Sequence, residues 1–404
     1  MTIFLIFAVL TVFGLIGYGL QILAVRSYLK DKEKRRHGDA VSPCHLISVS
    51  ILKPLKGLDD NLFDNLESFC MLDYPEYEII FSLQDHNDPA YKVARKIKDK
   101  YPDKQISLVV EECSTGLNPK VNNLIPAYAN AKYEYILISD SNVMVNRDYL
   151  REIVKHFSDP DVGLVSNLIR GIGGRTLGSV FENLHLNTFI IGSVCFLDRY
   201  LKMPCVVGKS MLMRKRDLES IGGFKAVKDV LAEDYIIGKK MQKKGKKVIL
   251  SNYLINNVNE YWGLKKFLNR HTRWGKLRWR IGGVKYFSEI ITNTVFMSFL
   301  PIFLWGPSKL TVSFTVLISC IKIIGDFYMG RKIRTDMNPL WNIFSPVKDL
   351  IIGFIWFIPL LSNTIIWRGN RYIIHKDSLL TSCVETGLVS WKYRLADAIK
   401  GRFA

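Results

Sequence analysis

From Ile3 to Val25 the chain carries no charged side chain, and no other feature narrows its possible folds as much. Crossing about 30 Å of hydrocarbon takes roughly 20 helical residues, so this run is long enough to span. It lacks a basic n-region and a clear small-residue cleavage site, which predicts an uncleaved anchor over residues 1–25 rather than a removed signal. Arg26, Lys30, Lys32, Lys34, Arg35 and Arg36 follow against only Asp31 and Glu33, so residues 26–41 read as a basic linker on the cytosolic face. Composition supports the membrane reading. A formal charge of +19 alone would admit a nucleic-acid binder, but such proteins do not pair the charge with long apolar runs and 48% hydrophobic residues, so no nucleic-acid partner is expected.

Three further apolar runs occur at Ile290 to Trp305, Leu310 to Ile324 and Leu350 to Trp367, the last interrupted by Pro359. If all crossed, the C-terminus would return to the non-cytoplasmic side. The tail nevertheless carries Arg368, Arg371, Lys376, Lys392, Arg394, Lys400 and Arg402, which favour the cytoplasm. One run is therefore expected to be re-entrant or interfacial, and the segment with Pro301 and Pro307 is the candidate. The seven cysteines are scattered without a C-x-x-C pair, which predicts reduced thiols and neither a disulfide framework nor a zinc site.

Between about Ser42 and Glu260 short β-branched runs alternate with helical stretches, the pattern of an α/β sheet. Strands are predicted at Ile47 to Leu52, Tyr77 to Leu83, Ile106 to Val110 and Tyr135 to Ser139. Helices are predicted near Asn61 to Cys70, Tyr91 to Tyr101, Lys120 to Ala131 and Asp148 to Phe157. Ligands of such sheets sit off the carboxyl ends of the strands, which selects Lys53-Pro54, Gln84 to Pro89 and Asp140-Ser141-Asn142. Asp85, Asp88 and Asp140 at these ends, with Glu233-Asp234 opening a later helix, could bind a sugar hydroxyl, a base N–H or a hard cation. Taken singly, the same aspartates read as turn formers and helix caps.

Popular motifs fail on inspection. Gly208-Lys209-Ser210 resembles the end of a P-loop, but Met203 stands where the required glycine belongs, and no H-E-x-x-H or serine elbow occurs. From Lys265 to Lys285 eight basic residues and no acid are interleaved with Phe267, Trp274 and Trp279, the composition of a helix lying in a membrane interface. Alternatively, Arg270 and Arg273 face a catalytic cleft and neutralise a phosphate leaving group, a task suited to the arginine fork.

Several motifs in order now give a resemblance. Asp88 in Gln84-Asp85-His86-Asn87-Asp88-Pro89-Ala90, Asp140, Asp234 in Ala232-Glu233-Asp234-Tyr235, and Arg270-His271-Thr272-Arg273-Trp274 match three spaced aspartates and an R-x-x-R-W motif. Leu52 to Gly57, Gly116 to Asn123, Met211 to Lys215 and Trp367 to Tyr372 add support. Over nearly its whole length the chain resembles the ceramide glucosyltransferase family, a branch of the inverting glycosyltransferases. The resemblance implies an α/β GT-A-type (Rossmann-like) catalytic domain with N-terminal and C-terminal transmembrane helices. The domain would occupy residues 42–262, followed by a basic interfacial helix at 263–286, transmembrane or re-entrant helices at 287–368 and a tail at 369–404.

It also implies roles. Asp85 or Asp88 with Lys53 and Lys120 would hold the uridine and phosphates of a UDP-sugar, and Asp140 would bind a divalent cation, Mg2+ or Mn2+. Asp234 would be the general base, Arg273 and Arg270 would stabilise the departing diphosphate, and Trp274 would line the acceptor entrance at the bilayer. The acceptor is expected to be a membrane lipid, ceramide first, with glucose as the first donor sugar. Where the family carries a His-Pro pair, this chain instead continues apolar from Phe189-Ile190 to Phe196. That departure leaves diacylglycerol or a hopanoid as alternative acceptors, with galactose or N-acetylglucosamine as alternative sugars. A processive polysaccharide synthase would need more spans, and a non-enzymatic membrane scaffold or transporter would not need the aspartates.

Overall fold

The computed structural model describes residues 2–38, 47–203, 205–367 and 369–383. Its centre is an eight-stranded mixed sheet of β1 (Val49–Pro54), β2 (Tyr77–Leu83), β3 (Ile106–Val110), β4 (Tyr135–Ser139), β5 (Val143–Met144), β6 (Val162–Gly173), β7 (Ser210–Arg214) and β8 (Lys247–Asn259). The order is β3-β2-β1-β4-β7-β6-β8-β5. The first four strands run parallel, and β7 lies antiparallel between β4 and β6. Three predicted strands have the expected bounds, whereas β1 extends to Pro54, which can end a ladder because Leu55 supplies the next amide to Ser82.

Alternating side chains send each strand into two cores. Ile51 and Phe81 pack with Phe69 and Tyr149 on one face, while Leu52 and Ile80 meet Val121 and Leu124 on the other. Burial on both faces explains why apolar residues stand at consecutive positions in the central strands, as in Ile51-Leu52, Ile79-Ile80-Phe81 and Ile136-Leu137-Ile138.

The N-terminal helix, Thr2–Gly38, shows no break where the anchor was expected to end at residue 25. Lys, Arg and Glu are good helix formers, so the basic flank prolongs the helix instead of starting a loop. The rest of the expected linker, to residue 41, lies outside the described residues, as do Cys44, Arg368 and the tail from residue 384. Among the described residues four helices are long and apolar enough to cross a membrane: Phe4–Lys30, Leu177–Leu201, Lys309–Lys332 and Pro339–Leu361. The second was not anticipated, because it interrupts the α/β pattern between β6 and β7. The run from Leu350 to Trp367 is not one helix either. Helix stops at Leu361, and Thr364–Trp367 becomes β9 of a small sheet with β10 (Asn370–Ile374) and β11 (Leu380–Ser382).

The Pro301 segment is bent by 78° against the helices before it. The bend falls at Asn293, whose side chain caps the Phe296 amide at 3.2 Å, while Pro301 sits inside a continuous helix. The small sheet returns to the large domain: Leu231 N bonds Ser378 O at 2.8 Å, Leu380 N bonds Asp229 O at 2.7 Å, and Lys239 pairs with Asp377 at 2.6 Å. A chain that leaves the domain after Glu260 and rejoins it at this sheet crosses any membrane an even number of times in between. The α/β sheet with apolar helices near both termini is the GT-A-type architecture that the sequence implied.

Candidate active site

A cleft of about 690 Å³ opens at the carboxyl ends of β1 and β4. Its far wall is the helix Leu264–Gly282, which carries Lys266, Arg270, Arg273 and Trp274 into the cleft. Phe267, His271, Gly275 and Lys276 are buried on other faces of that helix, so it is packed between domains and does not simply rest on a surface.

The floor is an ion cluster. Asp140, the residue after β4, binds Lys120 Nζ at 2.8 Å and Lys209 Nζ at 3.0 Å. Burial favours the neutral acid, but the two ammonium groups outweigh it and hold the Asp140 carboxyl far below the usual range. Lys120 follows a helix start capped by Asn118, whose Oδ1 accepts the Lys120 amide at 2.9 Å. Its ammonium also reaches Glu233 at 2.8 Å and the Gly208 carbonyl at 2.9 Å. Burial works against that charge, yet Asp140, Glu233 and Asp234 together raise its pKa. In Lys209, burial prevails and the pKa is lowered despite Asp140.

Asp234 lies in the first turn of the helix Glu233–Lys243. Its Oδ2 accepts the Gly208 amide at 2.8 Å and its Oδ1 the Tyr235 amide at 2.8 Å, which fixes the carboxyl at the cleft wall. Burial, then the neighbouring Glu233 charge, push its pKa up to about 6. A carboxylate tuned toward neutrality is better matched to general-base work than an ordinary one.

Across the cleft, Arg270 stacks between Trp274 at 4.3 Å and Trp262 at 5.0 Å, with Glu182 Oε1 3.3 Å from its Nε. Glu182 is fully buried and also bonds His271 Nε2 at 2.9 Å. Arg273 sits 5.7 Å from the Trp367 ring. Six cationic and four acidic side chains line the cleft, a surplus that suits a polyanion such as a diphosphate.

Of the residues selected from sequence, Asp140, Lys120, Asp234, Arg270, Arg273 and Trp274 line this one cleft. Lys53, Asp85 and Asp88 do not. Lys53 is buried over the Phe69 ring and donates to the Asp140 carbonyl at 2.9 Å, so it pins the loop that carries Asp140. Asp85 is exposed, and its Oδ1 closes a turn on the Asn87 amide at 2.8 Å. Asp88 caps the helix Pro89–Lys100 and clamps the Gly57 amide at 2.9 Å, where φ is +69°. The local reading of these two aspartates describes what their side chains touch.

Sequence reasoning missed Lys209. Lys209 was set aside with a failed P-loop, and no local pattern marks it. The antiparallel register of β4 and β7, which pairs Ser139 with Ser210, puts it opposite Asp140. The expected Mg2+ or Mn2+ on Asp140 does not fit this donor set. Both carboxylate oxygens hold ammonium groups, and the Oδ1 of Asn142, two residues on, takes Lys209 at 2.6 Å. No group of three His, Cys, Asp or Glu side chains placed to hold a metal occurs among the described residues.

Comparison with known proteins agrees with the geometry. Residues 7–380 match the sequence model of glycosyl transferase family 21. Ceramide glucosyltransferase 3 of Caenorhabditis elegans is 29% identical over 88% of this chain and 78% of its own length. Ceramide glucosyltransferase 1 of the same organism is 28% identical over 81% and 72%. Among solved structures, a Pyrobaculum calidifontis mannosyltransferase in complex with GDP-Man and Mn2+ overlaps 87% of this chain and 98% of its own, at 16% identity and a TM-score of 0.48. With a match that spans the N-terminal helix, the sheet and the apolar C-terminal helices, the chain is a glycosyltransferase and belongs to glycosyl transferase family 21, the ceramide glucosyltransferase family.

Proposed function

We propose that this enzyme transfers a hexose, glucose first, from a UDP-sugar to the primary hydroxyl of a membrane lipid, ceramide first, with inversion at the anomeric carbon. The observation that carries the reading is Asp234, raised to about 6 and held by two backbone amides, in one cleft with Arg270, Arg273 and the Lys120–Asp140–Lys209 cluster. The acceptor oxygen attacks the anomeric carbon from the face opposite the diphosphate as its proton passes to Asp234. A free alcohol is too weak an acid to ionise beforehand, so proton transfer accompanies attack. One carboxylate on the far face gives inversion, by the geometry that governs glycosidases.

The leaving UDP gains charge that the arginines offset. The amide side chains of Gln84, Asn122 and Asn123 also line the cleft and could hydrogen-bond a base edge. A lipid hydroxyl cannot rise far from the headgroups without exposing its chains, at roughly 0.8 kcal/mol per CH₂, so the cleft must lie at the bilayer. The basic helix Leu264–Gly282 and the adjoining apolar helices would hold it there, with the domain on the cytosolic face.

The test supplies radiolabelled UDP-glucose, UDP-galactose and UDP-N-acetylglucosamine to membranes containing the protein, with ceramide, diacylglycerol and hopanoid acceptors. Label in ceramide from UDP-glucose is expected. Label in another lipid reassigns the acceptor, and no transfer to any lipid, or full transfer by Asp234→Asn, overturns the reading.

A further inference from the structure

We propose that the Lys209 ammonium, seated between Asp140 and Asn142, does the work of a divalent cation on the donor diphosphate, so that nucleotide binding and transfer need no added metal. The proposal rests on the UDP-sugar reading and concerns the same cleft.

Hard divalent cations take six or more oxygen ligands at about 2.0–2.6 Å, most of them carboxylate, carbonyl or phosphate. Here the oxygen donors around Asp140 are already committed, and Asp59, which also lines the cleft, accepts from the Ser141 hydroxyl through one oxygen. Asp140 holds Lys120 and Lys209 on separate oxygens, and Asn142 Oδ1 holds Lys209. Glu233 holds Lys120, and each oxygen of Asp234 accepts a backbone amide. A metal entering at Asp140 would have to displace one of two ammonium groups and then sit beside the other, against like charge.

The proton count separates the two lysines. An ammonium has three N–H donors. Those of Lys120 go to Asp140 at 2.8 Å, Glu233 at 2.8 Å and the Gly208 carbonyl at 2.9 Å, so Lys120 organises the floor. Lys209 gives one to Asp140 at 3.0 Å and one to Asn142 at 2.6 Å, which leaves a third for a phosphate oxygen in the cleft that it lines. It sits in the turn immediately before β7, and the β4–β7 ladder brings that turn opposite Asp140.

The chemistry balances. The bond from the anomeric carbon to the diphosphate breaks and the bond to the acceptor oxygen forms. The proton goes to Asp234, and the electron pair stays on the β-phosphate oxygen, where Lys209 and the arginines face it. A monovalent ammonium in a cleft that two arginines also line supplies positive charge there, by charge-assisted hydrogen bonds instead of coordination.

The experiment uses the purified full chain in neutral-lipid nanodiscs, stripped with EDTA and desalted. UDP binding is read by calorimetry and sugar transfer by label in a short-chain ceramide, each with EDTA, Mg2+ or Mn2+. Wild-type UDP affinity and turnover should agree within about twofold across these conditions, while Lys209→Met in EDTA loses about tenfold or more in UDP affinity, a loss of about 1.4 kcal/mol or more. Lys209→Arg should keep most of the affinity. Recovery of Lys209→Met by Mn2+ would support the substitution of one cation for the other. Wild-type binding that falls about tenfold in EDTA and returns with Mn2+ overturns the proposal, and so does a folded Lys209→Met that binds UDP like wild type. The wild-type arm decides alone if Lys209→Met does not fold. UDP binding only with metal sinks this proposal and spares the donor reading, whereas no UDP binding under any condition removes both.

Discussion

The backbone amide of Gly208 donates to Oδ2 of Asp234 across 2.8 Å, and a Cβ at position 208 would lie 2.6 Å from that same oxygen. Only glycine lets the backbone approach the carboxyl this closely. Gly208→Ala therefore has to push Asp234 aside. Turnover should fall by about 10²-fold, the cost of a small misplacement of a reacting group, with UDP affinity changed far less. Steady-state kinetics beside a UDP titration check this.

With Asp234 as the proposed base, its raised pKa predicts the acid side of the pH profile. The base form exists above about 6, so kcat/KM should fall about tenfold per unit below that value and level off above it. Because the Glu233 charge helps raise Asp234, Glu233→Gln should move the acid limb to lower pH. An acid limb that stays in place in this variant would argue against Asp234 as the titrating base.

Glu182 is fully buried, with Arg270 and His271 as its partners. Neutralising it leaves Arg270 without its counter-charge, and breaking a buried pair from one side costs about 3 kcal/mol. Glu182→Gln should lower the thermal midpoint and slow transfer together, whereas Glu182→Asp should recover part of both. Melting in detergent and single-turnover assays separate the two effects.

Arg273→Ala removes a guanidinium that lines the cleft but leaves the lysine cluster intact. The expected result is a fall in kcat of about 10²-fold with a smaller change in UDP affinity, since charge developing in the transition state is felt more than ground-state charge. Normal turnover would reduce the Leu264–Gly282 helix to a membrane anchor.

Asp88→Ala removes a helix cap and the clamp on Gly57, with a loss of about 1 kcal/mol or more in stability. Lys56, beside Gly57, lines the cleft, so KM for the donor should rise more than kcat falls. Asp88→Asn, which can still cap, should be milder in both stability and KM.

The chain's own order of residues settled a good deal. The charge-free run before Val25 required a helix long enough to cross a membrane, and the β-branched runs at 77–83, 106–110 and 135–139 required buried strands, because both signals are local and periodic. Strand ends then singled out Asp140, and the motifs singled out Asp234, Arg270, Arg273 and Trp274. What only tertiary structure decided is where charge meets charge. Lys209 lies opposite Asp140 through a strand register across the Leu177–Leu201 helix, and Lys53 turns inward to a backbone carbonyl while Lys120 turns to the cleft. That any membrane crossings between Glu260 and the small sheet are even in number likewise follows from that sheet docking on the large domain. Such pairings join residues far apart in the chain, so no local pattern records them, and electrostatics depends on distance in space.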